Sequence, residues 1–124
     1  MDLSLRKIGQ TLVVSFGDRV NLEGDTSLLF KEKLKSLIGD GHLHVIMDLS
    51  NVGFVDSQGL GALISCLKVL RQSEGSLTVT NLSESVEAVL RITRLIRVFD
   101  VLPTVEDALA AATRRPVPAV GSEA

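Results

Sequence analysis

A short apolar strand followed closely by an amphipathic helix, within residues 45–71, constrains the fold of this chain more than any other feature. The segment reads VIMDLSNVGFVDSQGLGALISCLKVLR. Val45–Leu49 is apolar without alternation, as expected of a central strand covered on both faces. After a short turn, apolar residues recur at helical spacing and predict a helix over residues 57–72. Its core stripe comprises Leu60, Leu63, Ile64, Leu67 and Leu70.

The residues before this segment predict a β-hairpin and a helix. Leu3–Ile8 and Thr11–Phe16 are short β-like runs joined by a two-residue link that contains glycine, which favours a hairpin. Residues 17–22 are interpreted as a polar connection. A helix then begins near residue 25 and runs to Ile38, where a Gly-Asp-Gly sequence ends it.

The residues after the segment predict two more strands and two more helices. Leu77–Thr80 is rich in β-branched residues and predicts a strand. Ser83 is suited to cap a helix that ends near Thr93. Arg97–Leu102 is interpreted as a last strand, and Thr104 as the cap of a final helix.

The order of these elements predicts the fold class. A hairpin followed by alternating helices and strands indicates an α/β fold with a mostly parallel, mixed sheet of four or five strands and four helices. We expect residues 1–112 to form one domain and residues 113–124 to be a disordered C-terminal tail. Sites in open sheets of this kind lie beyond the carboxyl ends of the strands, where we place residues 50–57.

Composition disfavours several classes of function. The chain has no Trp or Tyr and four Phe, so aromatic platforms for stacking nucleic-acid bases are nearly absent. The formal net charge of −2 gives no electrostatic motive for DNA binding. No window reaches the roughly 18 apolar residues of a membrane helix, and no signal peptide is evident. We therefore expect a cytoplasmic protein whose partners are proteins, with no nucleic acid and no membrane among them.

The single cysteine supports neither a disulfide nor a metal site. Cys66 is the only cysteine of the chain, so an intrachain disulfide is impossible and zinc would find too few ligands. Apolar residues surround it in the sequence, which predicts a buried thiol in the core. We expect no metal site and no cofactor.

Ser57 is the residue with most functional interest, because it opens the helix that follows the central strand. Either Ser57 or Asp56 is suited to cap that helix. The alternative is that Ser57 accepts a phosphate, which the unpaired N–H groups and the dipole of a helix N-terminus would tolerate. Asp56 would then orient Ser57, and Gly59 and Gly61 would let another protein approach.

A catalytic role for Ser57 is disfavoured. His42 and His44 are the only histidines, and they precede the central strand, at the opposite edge of the sheet from Ser57. The surrounding sequence is not the G-x-S-x-G elbow of hydrolases, and no Walker loop is present. Three arginines spaced every third residue suggest a small basic patch, with solvation as the simpler interpretation; they are Arg91, Arg94 and Arg97.

The segment IMDLSNVGFVDSQGLGAL resembles the signature of STAS domains, specifically of bacterial anti-sigma factor antagonists. The family pattern is a strand that ends in D-L-S, a hydrophobic pair, and then D-S-S/T-G-L-G. The similarity extends over most of residues 3–112, including the hairpin, the SESVEAVLRIT helix and the closing PTVEDAL. The resemblance implies a STAS-like fold.

The resemblance also implies a function and partners. In the family, the serine after the motif aspartate, here Ser57, is phosphorylated by a cognate anti-sigma factor serine kinase of the GHKL type. The unphosphorylated form binds that kinase and frees the sigma factor, and a PP2C-type phosphatase restores it. The ATP belongs to the kinase, so no cofactor is implied for this chain. We expect the chain to be a monomer or weak dimer.

Three positions depart from the family pattern. Gln58 replaces the usual Ser or Thr after the acceptor. The family's G-x-L-D is replaced by residues 17–21, which are one residue longer and end in Asn21 instead of an acid. Arg94 stands where an I-T-G-L turn usually has glycine. The first two positions border the expected docking face.

Together these observations predict a phosphorylation-switched anti-sigma factor antagonist that is not an enzyme. Ser57 is the expected phosphoacceptor, and its docking neighbours are Asn21, Asp56, Gln58, Gly59, Leu60 and Gly61. One alternative is a non-phosphorylated STAS scaffold, an assembly subunit of another signalling or transport complex. Another is an enzyme or nucleotide-binding protein, which would require a deep polar pocket.

Overall fold

The computed structural model describes residues 1–113, which form seven strands, four α-helices and one short 3-10 helix. The strands are β1 (Leu3–Ile8), β2 (Thr11–Phe16), β3 (Val20–Leu22), β4 (His44–Asp48), β5 (Val52–Val55), β6 (Ser76–Thr80) and β7 (Asp100–Leu102). The helices are α1 (Gly24–Gly39), α2 (Ser57–Gln72), α3 (Glu84–Ile92) and α4 (Val105–Thr113). The expected disordered tail lies outside the described residues, apart from Thr113 at the end of α4.

The main sheet has five strands in the order β1-β2-β4-β6-β7. The hairpin of β1 and β2 is antiparallel, with Leu3 opposite Phe16 and Ile8 opposite Thr11. β2, β4, β6 and β7 run parallel to one another. The predicted α/β class, with a β-hairpin start, a mostly parallel mixed sheet and four helices, is therefore confirmed.

Alternation along the strands divides the core between the two faces of the sheet. Val14 and Met47 belong to the large cluster that contains the buried side chains of α1, α2 and α3. Their neighbours Val13 and Ile46 belong to a smaller cluster with side chains of α4, namely Val105 and Ala108. Three helices thus cover one face and α4 covers the other. The strands of the centre are apolar on both faces because both faces are buried.

The core is aliphatic apart from three buried phenylalanines, Phe16, Phe30 and Phe99. The rings of Phe16 and Phe30 have centroids 5.6 Å apart and join the hairpin to α1. Cys66 is fully buried on α2, as predicted for a core thiol. Burial raises the pKa of the Cys66 thiol to about 11, against a smaller lowering effect of Lys35 and Lys31.

Two segments that the sequence assigned to connections form a second, two-stranded sheet. Residues 17–22 were predicted to be a polar connection, and a short turn was predicted to precede α2. Both predictions were wrong in part, because β3 (Val20–Leu22) and β5 (Val52–Val55) pair in parallel. Asn21 lies opposite Phe54 in this pair. The strands are short and about 30 residues apart in the chain, so neither shows a clear periodicity on its own.

The predicted strand over Arg97–Leu102 was wrong in its first half. Leu95–Arg97 form a 3-10 helix, and only Asp100–Leu102 pair with β6 as β7. Before it, α3 ends at a C-cap, Thr93, followed by Arg94 in the left-handed region with φ of +63°. A left-handed residue just after a helix is usually glycine, which explains the glycine of the related I-T-G-L turn.

The three spaced arginines are exposed and do not act together in one contact. The Arg91 side chain bonds Glu87 one turn earlier on α3, with an N–O distance of 2.7 Å. Arg94 precedes the 3-10 helix that follows α3, and Arg97 is the last residue of that helix. This arrangement agrees with solvation as the simpler interpretation.

Candidate functional site

Asp56 joins the first turns of two helices. One carboxylate oxygen accepts a hydrogen bond from the backbone N–H of Gly59 at 2.8 Å, so Asp56 is the N-cap of α2. The other accepts from the N–H of Gly24, the first residue of α1, at 3.4 Å. The backbone N–H of Asp56 donates to the carbonyl of Leu22 at 3.1 Å, at the end of β3. The N-termini of α1 and α2 are therefore held together at this residue.

Ser57 is the first residue of α2, not its cap. Its side chain is exposed, and within residues 1–113 its hydroxyl has no hydrogen-bond partner. Among residues 1–113, the Ser57 hydroxyl donates no hydrogen bond to the Asp56 carboxylate, which accepts instead from the backbone N–H groups of Gly24 and Gly59. The sequence left Ser57 and Asp56 as alternative caps, and the structure assigns this role to Asp56. The Ser57 hydroxyl is thus exposed and takes no part in capping α2.

The other expected docking residues on α2 divide into exposed and buried positions. Gln58 and Gly61 are exposed, whereas Gly59 and Leu60 are buried. A Cβ on Gly59 would collide with the carbonyl oxygen of Leu22, so this glycine lets α2 approach β3. A Cβ on Gly61 would meet nothing within 4 Å apart from neighbouring residues and backbone of its own helix. Of these two glycines, only Gly61 therefore leaves open space at the surface of the described structure.

Gln58 and Asn21 both lie near the start of α2 in the tertiary structure. The side-chain oxygen of Gln58 would be 3.9 Å from a Cβ placed on Gly24, so this side chain extends towards the start of α1. Asn21 is exposed on β3, and the next residue, Leu22, bonds the backbone of Asp56. The second sheet thus brings Asn21 close to the start of α2, although 35 residues separate it from Asp56 along the chain.

Phe54 is a surface residue that the sequence did not single out. It lies opposite Asn21 in the second sheet and is 41% exposed. The segment Val52–Val55 buries its two valines and exposes Phe54. Phe54 thus places an exposed aromatic ring three residues before Ser57 along the chain. Its exposure depends on the pairing of β5 with β3, which the sequence did not predict.

Neither histidine is near the start of α2 in the fold. His44 begins β4, and its Nδ1 lies 3.0 Å from the hydroxyl of Ser76 at the start of β6. His42 lies in the loop before β4. Ser57 follows β5, which the chain enters after the carboxyl end of β4, whereas His44 lies at the amino end of β4. In the described part of the chain, no group of three or more His, Cys, Asp or Glu side chains is placed to hold a metal ion.

The segment between β4 and β5 lies at the carboxyl edge of the main sheet, as predicted. The backbone N–H of Leu49 donates to the carbonyl of Thr80, the last residue of β6. The Asn51 side chain donates to the carbonyl of Phe16, the last residue of β2, at 2.7 Å. β5 then leads the chain from this edge to Asp56. Among residues 1–113, no helix is long and apolar enough to cross a membrane.

Comparison with protein-family models gives one match that covers most of the chain. The STAS domain model matches residues 3–108. Among curated proteins, the anti-sigma-B factor antagonist of Bacillus subtilis strain 168 is 33% identical over 87 residues, which cover 67% of this chain and 71% of that protein. The family-model match thus covers nearly all of the residues that the structure describes.

Two solved structures illustrate the likeness in fold. An anti-sigma factor antagonist from Mycobacterium paratuberculosis superposes with a TM-score of 0.79 at 23% identity, over 90% of this chain and 93% of that one. The Bacillus cell fate determinant SpoIIAA in its phosphorylated form gives a TM-score of 0.68 at 19% identity, over 90% and 99% of the two chains. At these identities the likeness establishes the fold.

Proposed function

This chain belongs to the STAS domain family, and we propose that it is an anti-sigma factor antagonist switched by phosphorylation of Ser57. The observation that carries the proposal is the exposed Ser57 hydroxyl, which has no partner in the described residues and opens α2. The relatives described as anti-sigma factor antagonists support the regulatory role. The solved phosphorylated form of SpoIIAA supports a phosphate on this fold.

Phosphorylation transfers the γ-phosphoryl group of ATP to Ser57. The Ser57 oxygen attacks the γ-phosphorus and loses its proton, and ADP leaves. The ATP is held by the partner, a GHKL-type serine kinase that is also the anti-sigma factor. A PP2C-type phosphatase reverses the change by hydrolysis. On this account the chain is a substrate and a binding protein in the cytoplasm, not an enzyme, and needs no cofactor.

The phosphate would preserve the fold and weaken the complex. It adds about −1.5 to −2 charges beside the Asp56 carboxylate. The N-terminus of α2 stabilises part of that charge, and Asp56 keeps its capping bonds, so the chain stays folded. A kinase docked over Asp56 meets new negative charge and additional volume. Unphosphorylated chain therefore binds the kinase and releases the sigma factor, and phosphorylated chain does not.

The docking face combines exposed groups with buried positions that support them. Asn21, Asp56, Gln58 and Gly61 supply the accessible part around Ser57. Gly59 and Leu60 are buried and contribute indirectly, because they fix the position of α2 against β3 and the core. We propose that the chain acts through this face as a monomer or weak dimer.

Intact-mass spectrometry with GHKL-type kinases from the same genome tests the phosphoacceptor. With ATP, the chain should gain the mass of one phosphate, and without ATP it should gain none. Ser57→Ala should abolish the gain. Ser85→Ala is the matched control, because Ser85 is also exposed in the first turn of a helix, and this variant should be phosphorylated normally.

Absence of a phosphate with every such kinase would contradict the proposal. The STAS scaffold, in which Ser57 accepts nothing, would then account for the chain better. A phosphate that persists in Ser57→Ala would equally contradict the assignment of the acceptor.

A further inference from the structure

A groove of about 520 Å³ lies between α1 and α2, next to the proposed phosphoacceptor. Ser27, Leu28 and Lys31 line it from α1. Gln58, Gly61 and Ser65 line it from α2. Its surface is mainly apolar, and its volume falls in the range of about 300–1,000 Å³ that is typical of small-molecule sites.

The floor of the groove contains a buried hydroxyl without a partner. Ser27 is 2% exposed, and among the described residues its Oγ is a buried side-chain polar atom that makes no hydrogen bond. Buried polar groups in folded proteins are nearly always paired, because leaving one unpaired forfeits its hydration. Ser27 also lines the groove, so a molecule seated there that reaches the Oγ would supply the missing hydrogen bond.

Small residues on α2 keep the groove open. Apart from neighbouring residues and backbone of its own helix, no atom lies within 4 Å of a Cβ built on Gly61, and Ala62 and Ser65 are the other short side chains on this wall. The charged lining residues are Asp25 and Lys31, of opposite sign, so the groove has no net formal charge. The lining therefore suits an uncharged occupant better than an anion or a cation.

We propose that this groove binds an uncharged, mainly apolar small molecule with one hydroxyl or carbonyl group that bonds Ser27. Such a molecule would fill the space beside Gly61 and lie against Gln58, the neighbour of Ser57. Its presence would hinder a protein that approaches Ser57 across the starts of α1 and α2. This consequence, unlike the binding itself, rests on the proposed function.

NMR titration of the ¹⁵N-labelled full chain tests the binding without the kinase. The probes are 1-octanol, octanoate and octylamine, which share an apolar chain and differ in the charge of the head group. We expect saturable shift changes with 1-octanol at the amides of Ser27, Gly61 and Ser65, and weaker binding of both charged probes. Ser27→Ala should weaken 1-octanol binding about fivefold. Ser36→Ala, an exposed serine of the same helix, should leave it unchanged.

Three results would overturn the proposal. One is a shift pattern that never saturates or that follows exposed apolar residues elsewhere, such as Ile8 and Ile92. Another is equal 1-octanol affinity in wild type and Ser27→Ala. The third is a groove whose amides respond to the kinase and to none of the probes, which would make it a protein-docking groove.

The coupling to Ser57 has its own readout. With wild-type chain, 1-octanol should slow phosphorylation by the kinase, and with Ser27→Ala the slowing should require about fivefold more 1-octanol. Equal sensitivity of the two chains would contradict the coupling. Saturable binding in the NMR titration would still support the site, so the two failures are distinguishable.

Discussion

Asp56 and Ser57 have different tasks although either residue type can cap a helix. Both side chains are favoured at an N-cap, so residue type alone could not decide between them. The roles would change if α2 began one residue later. The hydrogen bonds that the Asp56 carboxylate accepts from Gly59 and Gly24 fix the start of the helix. The sequence thus identified the pair, and only the backbone geometry separated their roles.

Removing the two side chains should have unequal effects on stability. Asp56→Ala should lower the free energy of unfolding by about 1 kcal/mol, because the cap of α2 is lost. Ser57→Ala should change it by less than about 0.5 kcal/mol, because the Ser57 hydroxyl bonds nothing in the described residues. Urea denaturation of both variants measures the difference. A larger loss for Ser57→Ala than for Asp56→Ala would contradict the assignment of the cap.

The departure at Gln58 could be recognised from the sequence, but its surroundings could not. The family pattern has a short hydroxyl residue at this position, whereas Gln58 extends towards the start of α1. That contact depends on the packing of two helices whose first residues are 33 positions apart. Patterns within a single segment carry no information on such a contact.

At the scale of elements, the contact between α2 and β3 depends on one glycine. Gly59→Ala should destabilise the chain by about 1–3 kcal/mol, because the new methyl group overlaps the Leu22 carbonyl and a Val55 methyl. Gly61→Ala is the matched control on the same helix. It should stabilise the chain by up to about 1 kcal/mol, because alanine favours a helix and the space is open. Thermal or urea denaturation measures both changes in stability. Equal changes in the two variants would contradict the close contact at Gly59.

The residue that follows the C-cap of α3 has a strained backbone, and a glycine there would relieve the strain. Arg94 has φ of +63°, a conformation that costs a side-chain-bearing residue about 1 kcal/mol or more relative to glycine. Arg94→Gly should therefore raise the free energy of unfolding by about 1 kcal/mol.

The control for Arg94 lies one turn earlier. Arg91→Gly should lower stability by about 1 kcal/mol, because Arg91 is inside the helix and loses its pairing with Glu87. Denaturant titration distinguishes the two. A destabilised Arg94→Gly variant would mean that the Arg94 side chain contributes more than its backbone strain costs.

Elements were predictable to the extent that each carries its own pattern. The bounds of α2 were predicted correctly from the apolar stripe, and α3 from its Ser83 cap, which bonds Val86. The strands β3 and β7 have three residues each, too few for any periodicity to show. β5 contains Gly53 and exposes Phe54, which hides its strand character. These short strands are defined by their partners in the fold and not by local preference.

At the scale of the whole molecule, the layers follow from the sequence and the groove does not. Alternating strands and helices predict a sheet covered by helices, and apolar central strands predict burial on both faces. The groove between α1 and α2 depends on how closely two helices pack and on which residues are small at their contact. The position of the serine at the sheet edge was predictable, and its neighbourhood of two helix starts was not.

The buried thiol of the single cysteine makes the stability of the chain depend on pH. The pKa of the Cys66 thiol is raised by burial from 9.0 to about 11 in the folded chain. Between these values the unfolded chain loses the proton first, so stability from this group is present below about pH 9 and is lost as the pH rises towards 11. Cys66→Ala should lose less stability than wild type across this window, as measured by urea midpoints. Equal losses in the two chains would show that the thiol does not titrate differently on folding.

A phosphorylation switch at Ser57 requires a change in partner binding without a change in fold. The direct measurement is the affinity of the GHKL-type kinase for unphosphorylated chain and for chain phosphorylated at Ser57, with circular dichroism of both forms. We predict that phosphorylation weakens the affinity at least tenfold, about 1.4 kcal/mol, while the melting curve is retained. Equal affinity of the two forms, or loss of affinity only because the phosphorylated chain unfolds, would contradict the account.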